Sequence, residues 1–308
     1  KKVISHYNLN ISTAISKEEI SKALIEYKND ISVFNNKDNL AYYLAGLLEG
    51  DGHISLPSLG ITSLNRILNP RIIFTSHKNN LGMYAFLQSE LNNIGRFQYS
   101  NENTIRYIIG DMKSIIYIIN MLHNKLRTPK NIRFNDLITF MNNKYSLNIK
   151  PSLLDTSNLN ENAWFTGFTE ADGHFGIKYI EKKEKSETRK RSVSESVSLK
   201  FRLDQRALDK PTSRSMKPFM ESLALFLSCS LKTYKTKNNS DILSLYVSVG
   251  VPLKDLEFIV NYFDKYPLIG NKLNDFKTWK TIFYMIKSKQ HLSKEGRLKI
   301  KVLCASDK

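Results

Sequence analysis

Residues 44–54 read LAGLLEGDGHI and residues 165–175 read FTGFTEADGHF, the same pattern twice in one chain. Each copy opens on a large apolar residue, has Gly at its third place and an acid at its sixth, and closes on Asp-Gly-His before one more apolar residue. Upstream of the first copy, apolar residues at 40, 43, 44, 47 and 48 keep a helical period, so a helix is expected over 38–50, stopped by Gly52. Its counterpart covers 160–171. Small residues stand four apart on both helices, Gly46 and Gly50 in one, Gly167 and Ala171 in the other. Positions i and i+4 share a face, and a face without side chains lets two backbones approach closely. The two helices are therefore expected to pack on each other and to bring Asp51 and Asp172 together. Two close carboxylates are costly unless a cation joins them, and hard oxygen donors select Mg²⁺ or a similar ion. The other acids, Glu49 and Glu170, sit two residues earlier, about 200° round the helix, and are read as capping or structural groups. His53 and His174 each open a strand and are read as packing or backbone-contact residues rather than as ligands.

A second landmark supports a duplication. The two Asp-Gly pairs lie 121 residues apart (172 − 51), whereas Ile118-Ile119-Asn120 and Ile259-Val260-Asn261 lie 141 apart (259 − 118). The second half has thus gained residues, expected mostly in the polar stretch EKKEKSETRKRSVSE at 181–195. After the first motif come strand-like runs at 53–61 and 71–76, a helix at 79–93, a hairpin at 95–110 and helices at 111–124 and 131–145. The second half repeats this order with strands at 174–181 and 195–204, a helix at 215–229, a hairpin at 231–249 and helices at 253–264 and 272–288. The expected organisation is an N-terminal extension 1–36, a first lobe 37–150, a linker 151–160, a second lobe 161–290 and a tail 291–308. The extension is polar, with one amphipathic stretch opened by the capping pattern Ser16-Lys-Glu-Glu19. The fold class is α+β: two similar lobes related by a pseudo-two-fold axis, each with a four-stranded antiparallel sheet.

Charge narrows the partners. Lys and Arg number 46 against 29 Asp and Glu, a formal net +17. Such an excess favours a polyanion, because each Lys or Arg on a phosphate releases a condensed counterion. Two cysteines, Cys229 and Cys304, make neither a disulfide framework nor a metal-binding spacing. No apolar run has the length of a membrane span, so no membrane partner is expected. The chain opens Lys1-Lys2 with no apolar signal core and no Met, which points to trimmed upstream sequence rather than a secretory peptide.

LAGLLEGDG (44–52) and FTGFTEADG (165–173) resemble the two signature motifs of the LAGLIDADG homing endonucleases in their single-chain, two-motif form. The second copy departs at Phe165-Thr166, and both copies carry Glu where the family's name has its first Asp; neither change touches the second acid. LHNKLRTPK (122–130) and FDKYPLIGNK (263–272) resemble the family's post-sheet segments, each ending in Lys. The resemblance implies αββαββα lobes, motif helices at the lobe interface and saddle-shaped sheets lying in the DNA major groove. It also implies that Asp51 and Asp172 bind the divalent metal, Mg²⁺ by default with Ca²⁺ or Mn²⁺ as substitutes. The carbonyls of Gly50 and Ala171 would be auxiliary ligands, and Lys130 and Lys272 the basic residues near the scissile phosphates.

Strands in the groove would read bases through Arg71, Ser76, Arg96, Gln98 and Arg106 in the first lobe, and Lys178, Lys200, Arg202 and Lys232 in the second. Arg189 and Arg191, in the 181–195 loop, are candidate phosphate contacts. The expected function is a monomeric, site-specific double-strand DNA endonuclease acting on a long pseudo-palindromic target. The alternatives are an intron RNA maturase and a DNA-binding protein without cleavage. Richness in Asn, Ile, Lys and Tyr follows AT-rich codons and points to an organellar origin, such as a fungal mitochondrial intron.

Overall fold

The computed structural model describes residues 13–29, 31–57, 68–185, 188, 191–248 and 253–306. Two compact units divide the chain, and they are not its two sequence halves. The first takes residues up to Asn29, Asp51–Asn124 and Ile132–Leu153; the second takes Asp30–Gly50, Lys125–Asn131 and everything from Leu154 onward.

The chain begins with α1 (Lys17–Glu26), whose capping box is formed by Ser16 and Glu19 as the sequence predicts. Next comes α2 (Lys37–Gly50), the first motif helix, then β1 (Gly52–Ser55) and β2 (Arg71–His77). These are followed by α3 (Leu81–Glu90), β3 (Arg96–Asn101), β4 (Thr104–Ile109), α4 (Met112–Leu122) and α5 (Lys130–Tyr145). The second repeat runs α6 (Trp164–Asp172), β5 (Gly173–Ile180), β6 (Ser196–Arg206), a small pair β7 (Leu208–Asp209) and β8 (Arg214–Ser215), and α7 (Lys217–Phe226). It ends with β9 (Leu231–Lys235), β10 (Asp241–Ser248), α8 (Leu253–Lys265) and α9 (Lys272–Lys287), after which α10 (Lys294–Ser306) closes the described chain.

Each unit carries one four-stranded antiparallel sheet, and the strand orders correspond: β1-β2-β4-β3 in the first and β5-β6-β10-β9 in the second. The α+β class with two matching sheets is thus as expected. The buried face of the first sheet is built on Ile72, Phe74, Phe97, Ile105 and Tyr107, that of the second on Phe175, Leu199, Phe201, Leu203 and Leu245. Alternation along each strand leaves the other face mostly polar, with Ile73 and Ile108 as an apolar pair on that of the first sheet.

The structure adds detail to three of these readings and changes a fourth. The first motif helix ends at Gly50, as expected, and Gly52 opens β1 without a left-handed turn; among the described glycines only Gly95 has positive φ. Residues 13–27 of the N-terminal extension are joined to the first unit: Thr13 O and Ile15 N bond to β3, and Tyr27 stacks on Phe86 of α3. The tail is likewise tied in, with Arg297 paired to Glu195 and Lys301 to Glu181. The extra residues of the second repeat are spread out. Pairing of β1 with β2 and of β5 with β6 makes Phe74 equivalent to Leu203, an offset of 129 (203 − 74), so only part of the gain lies before β6. The β7–β8 hairpin takes another share.

Candidate active site at the ends of the motif helices

The second unit contains both motif helices. A Cβ on Gly46 would stand 2.0 Å from Trp164 O and 2.7 Å from Phe168 N; one on Gly167 would stand 1.9 Å from Tyr43 O and 2.8 Å from Leu47 N. Each helix therefore presents its glycine to the other's backbone, at a separation no side chain permits. Lower down, a Cβ on Gly50 would meet Ala171 Cβ at 2.3 Å and Asp172 Oδ2 at 3.0 Å. The small-residue face that the spacing predicts is real, and it carries the Asp172 carboxylate against Gly50. Asp51, exposed, is the next residue of the chain.

A helix C-terminus leaves its last carbonyls without intrahelical donors and concentrates negative partial charge there. A lysine answers this in both copies. Lys130 Nζ donates to Leu48 O (2.9 Å) and Glu49 O (2.8 Å); Lys272 Nζ donates to Ala171 O (2.6 Å) and Thr169 O (3.3 Å). The internal alignment of the sequence leaves Lys130 one position out of step, but each lysine is the first residue of its helix, α5 or α9, so the two are equivalent.

Glu49 and Glu170 are structural, as read from their direction on the helix. Glu49 is buried and accepts from Arg127 N (2.8 and 3.0 Å), Thr128 N (2.6 Å), Thr128 Oγ1 (2.6 Å) and Trp164 Nε1 (2.8 Å). Arg127 is in turn paired with Asp155 and bonded to Ser157. Glu170 accepts from Ile269 N at 3.0 Å through Oε2, while its Oε1 is buried without a hydrogen-bond partner. Burial pushes the proton affinity of both carboxyls up, and their donors push it back.

Asp172 is largely enclosed. Burial raises its pKa above the ordinary aspartate value, while the Gln205 side chain, bonded to Oδ2 at 2.7 Å, and the Lys272 and Lys130 charges oppose that rise. Gln205 is the site residue the sequence reading missed. It continues the inward row of Leu199, Phe201 and Leu203 on β6, which only the sheet register reveals. The equivalent place on β2 is Ser76 (205 − 129), whose Oγ accepts from Asn80 Nδ2 at 2.9 Å. Ser76 therefore faces inward with Ile72 and Phe74, and is not placed to read bases.

The remaining strand candidates do share polar faces. On the first sheet Thr75 pairs with Arg106 and Arg106 with Gln98, and Arg96 and Arg71 lie in phase with them, beside His53. On the second, His174 pairs with Arg202 and Gly176 with Lys200, with Lys178 in phase, and Lys232 opposes Ser244. One acid stands on this face of β6, Asp204. It binds Arg202 (2.6 Å) and accepts from Ser244 Oγ (2.6 Å) and Tyr234 OH (3.1 Å), fixing the guanidinium. Burial and the charges of Lys200, Lys272 and Arg202 hold the His174 imidazole below its ordinary pKa. Arg191 is exposed in the loop before β6, and Arg189 lies outside the described residues.

Comparison with known proteins gives the same pattern. The LAGLIDADG endonuclease family model matches residues 44–141 and again 165–283. The chain is similar to the intron-encoded DNA endonuclease aI3 of Saccharomyces cerevisiae, 28% identical over 277 residues, covering 82% of this chain but 65% of that protein. It is 25% identical over 274 residues to the cox1 intron-2 37.2 kDa protein of Schizosaccharomyces pombe, covering 86% of this chain and 72% of that one. Among solved structures, the I-LtrWI LAGLIDADG homing endonuclease bound to target DNA aligns with TM-score 0.66 at 21% identity, over 87% of this chain and 97% of that one. I-SmaMI, solved with uncleaved DNA and calcium ions, aligns with TM-score 0.60 at 20% identity, over 85% and 97%. With two motif-bearing repeats matched across well over half its length, the chain belongs to the LAGLIDADG endonuclease family.

Proposed function

We propose that the chain is a site-specific endonuclease that hydrolyses both strands of a long, nearly palindromic DNA duplex. It acts as a monomer, with divalent metal ions, and in a mitochondrial setting. The observation that carries this reading is the repeated acid–lysine arrangement at two helix ends, in a chain whose two sheets each bear a basic polar face.

The donor set fits a hard divalent ion. Asp172 is an enclosed carboxylate with raised proton affinity, the state a bound cation would reverse. Among the described residues no three His, Cys, Asp or Glu side chains form a metal cage. An ion held by Asp51 and Asp172 would thus keep waters or take phosphate oxygens, as Mg²⁺ does. Ala171 O, the expected auxiliary ligand, is already held by Lys272. When bound, the ion would supply an activated water and charge stabilisation. The protein's own part is positional. Asp51 and Asp172 hold the charge, Gln205 orients the Asp172 carboxylate, and Lys130 and Lys272 place ammonium groups where phosphate charge develops. The sheet faces, through Arg71, Arg96, Gln98 and Arg106 and through Lys178, Lys200, Arg202 and Lys232, would contact bases and backbone.

The test is selection from a randomised duplex library in Mg²⁺. Recovery of one family of long cut sites supports the proposal. No cutting of any duplex, with tight binding to a structured intron RNA, would turn the reading to a maturase. Tight duplex binding without cutting would leave a DNA-binding protein.

A further inference from the structure

We infer that Glu49 and Glu170 are positioning residues for Lys130 and Lys272. Each buried carboxylate fixes the peptide just ahead of its lysine and so sets where the ammonium stands at the motif helix end. The consequence for catalysis rests on the endonuclease reading; the geometry does not.

A closed ring of bonds recurs in both repeats. In the first, Glu49 leaves the end of α2 and accepts from Arg127 N, Thr128 N and Thr128 Oγ1. The same Thr128 Oγ1 accepts from Lys130 N at 3.2 Å, and Lys130 Nζ returns to Leu48 O and Glu49 O. In the second, Glu170 leaves the end of α6 and accepts from Ile269 N, with the Gly270 and Lys272 amides also favouring its charge; Lys272 Nζ returns to Thr169 O and Ala171 O. The connecting segments are Leu126-Arg127-Thr128-Pro129-Lys130 and Leu268-Ile269-Gly270-Asn271-Lys272. They share only a fully buried leucine at the start and the lysine at the end. The carboxylates nevertheless meet the same peptide position, Arg127 N in one and Ile269 N in the other.

What the two repeats share is thus recognition of backbone, and it needs an acceptor with no donor of its own. A carboxylate supplies two acceptor oxygens; a carboxamide would turn an NH₂ group toward converging N–H donors. A plain helix cap would also explain the burial of these acids. It would not explain why the bonded peptide always leads, within three residues or fewer, to a lysine that folds back on the same helix end.

The test needs no DNA. The full chain is treated with an amine-reactive acetylating ester, and labelling of Lys130 and Lys272 is followed residue by residue by mass spectrometry, with thermal unfolding as the check on folding. Glu170→Gln should speed labelling of Lys272 roughly ten-fold, the scale of one lost charge-assisted hydrogen bond, and leave Lys130 unchanged. Glu49→Gln should do the reverse. Unchanged protection of the matching lysine in a folded Gln variant overturns the inference. If a Gln variant does not fold, the shorter Glu170→Asp or Glu49→Asp takes its place, and retained protection there overturns it equally. A double-variant cycle adds the catalytic readout: Glu170→Gln should cost no further cleavage once Lys272→Met is present, whereas additive losses contradict a role through the lysine. Faster labelling in a chain that cuts no duplex upholds the positioning and overturns only the endonuclease reading.

Discussion

Glu49 and Glu170 stand at equivalent places, yet their surroundings differ. Four donor groups converge on Glu49, one of them the indole of Trp164 from the other motif helix, and the guanidinium of the same Arg127 is paired with Asp155 and bonded to Ser157. Glu170 accepts from Ile269 N, has its charge favoured by the Gly270 and Lys272 amides, and keeps one buried oxygen without a hydrogen-bond partner. The acids differ in the opposite sense: Asp172 is enclosed and bonded to Gln205, while Asp51 is exposed and the equivalent of Gln205 is a serine turned to Asn80. The lysine holds the same place in both repeats while the anchorage of its acid differs. The geometry at the helix ends is therefore what both repeats retain.

The widest difference should appear on truncating the two glutamates. Glu49→Ala strands four buried donors and should cost about 3–5 kcal/mol of unfolding free energy in urea, on the scale of breaking a buried charged network. Glu170→Ala should cost about 1–3 kcal/mol, since fewer groups lose a partner. Equal losses would remove the asymmetry.

The glycine crossing should behave oppositely and show no difference between repeats. Gly46→Ala and Gly167→Ala each drive a Cβ into carbonyl oxygen, at 2.0 and 1.9 Å. Each should destabilise by about 1–3 kcal/mol or more, with one variant matching the other closely in chemical denaturation. A large inequality would mean that the helices relax around one glycine only.

A smaller, pH-dependent effect sharpens the contrast between the acids. Asp172 has its folded pKa raised by burial, so its contribution to stability is present at low pH and is lost as pH rises through that raised value; a bound metal ion reverses the sign. Ion affinity at Asp172 should accordingly weaken as pH falls through a value above the ordinary aspartate range. Gln205→Leu removes a bond to the ionised form and should move that limb to higher pH. Ca²⁺ titration calorimetry across pH reads it, and an unmoved limb would show that Gln205 does not act on Asp172.

Much of this was legible in the sequence. The repeated motif, the small residues four apart and the alternating strands placed α2, α6 and both sheets, and the two-residue spacing of Glu49 and Asp51 anticipated their different directions, one buried and bonded and the other exposed. What escaped depended on phase and register. RIIFTSH (71–77) carries three apolar residues in a row, so its letters do not say whether Ser76 points in or out, and the pairing with β4 decides it. Gln205 reads as one more polar strand residue until its phase with Leu203 turns it toward Asp172. The bonding of residues 13–15 to β3 is through backbone, which polar composition conceals.

The central claim is that Asp51 and Asp172 hold the metal that cuts DNA. The most direct measurement is single-turnover cleavage of the selected duplex in Mg²⁺ by the parent, Asp51→Asn and Asp172→Asn, with binding measured in Ca²⁺. The account predicts that each variant binds the duplex within about two-fold of the parent while its double-strand cleavage falls by at least about a hundred-fold. Parent-like cleavage by either variant would contradict it.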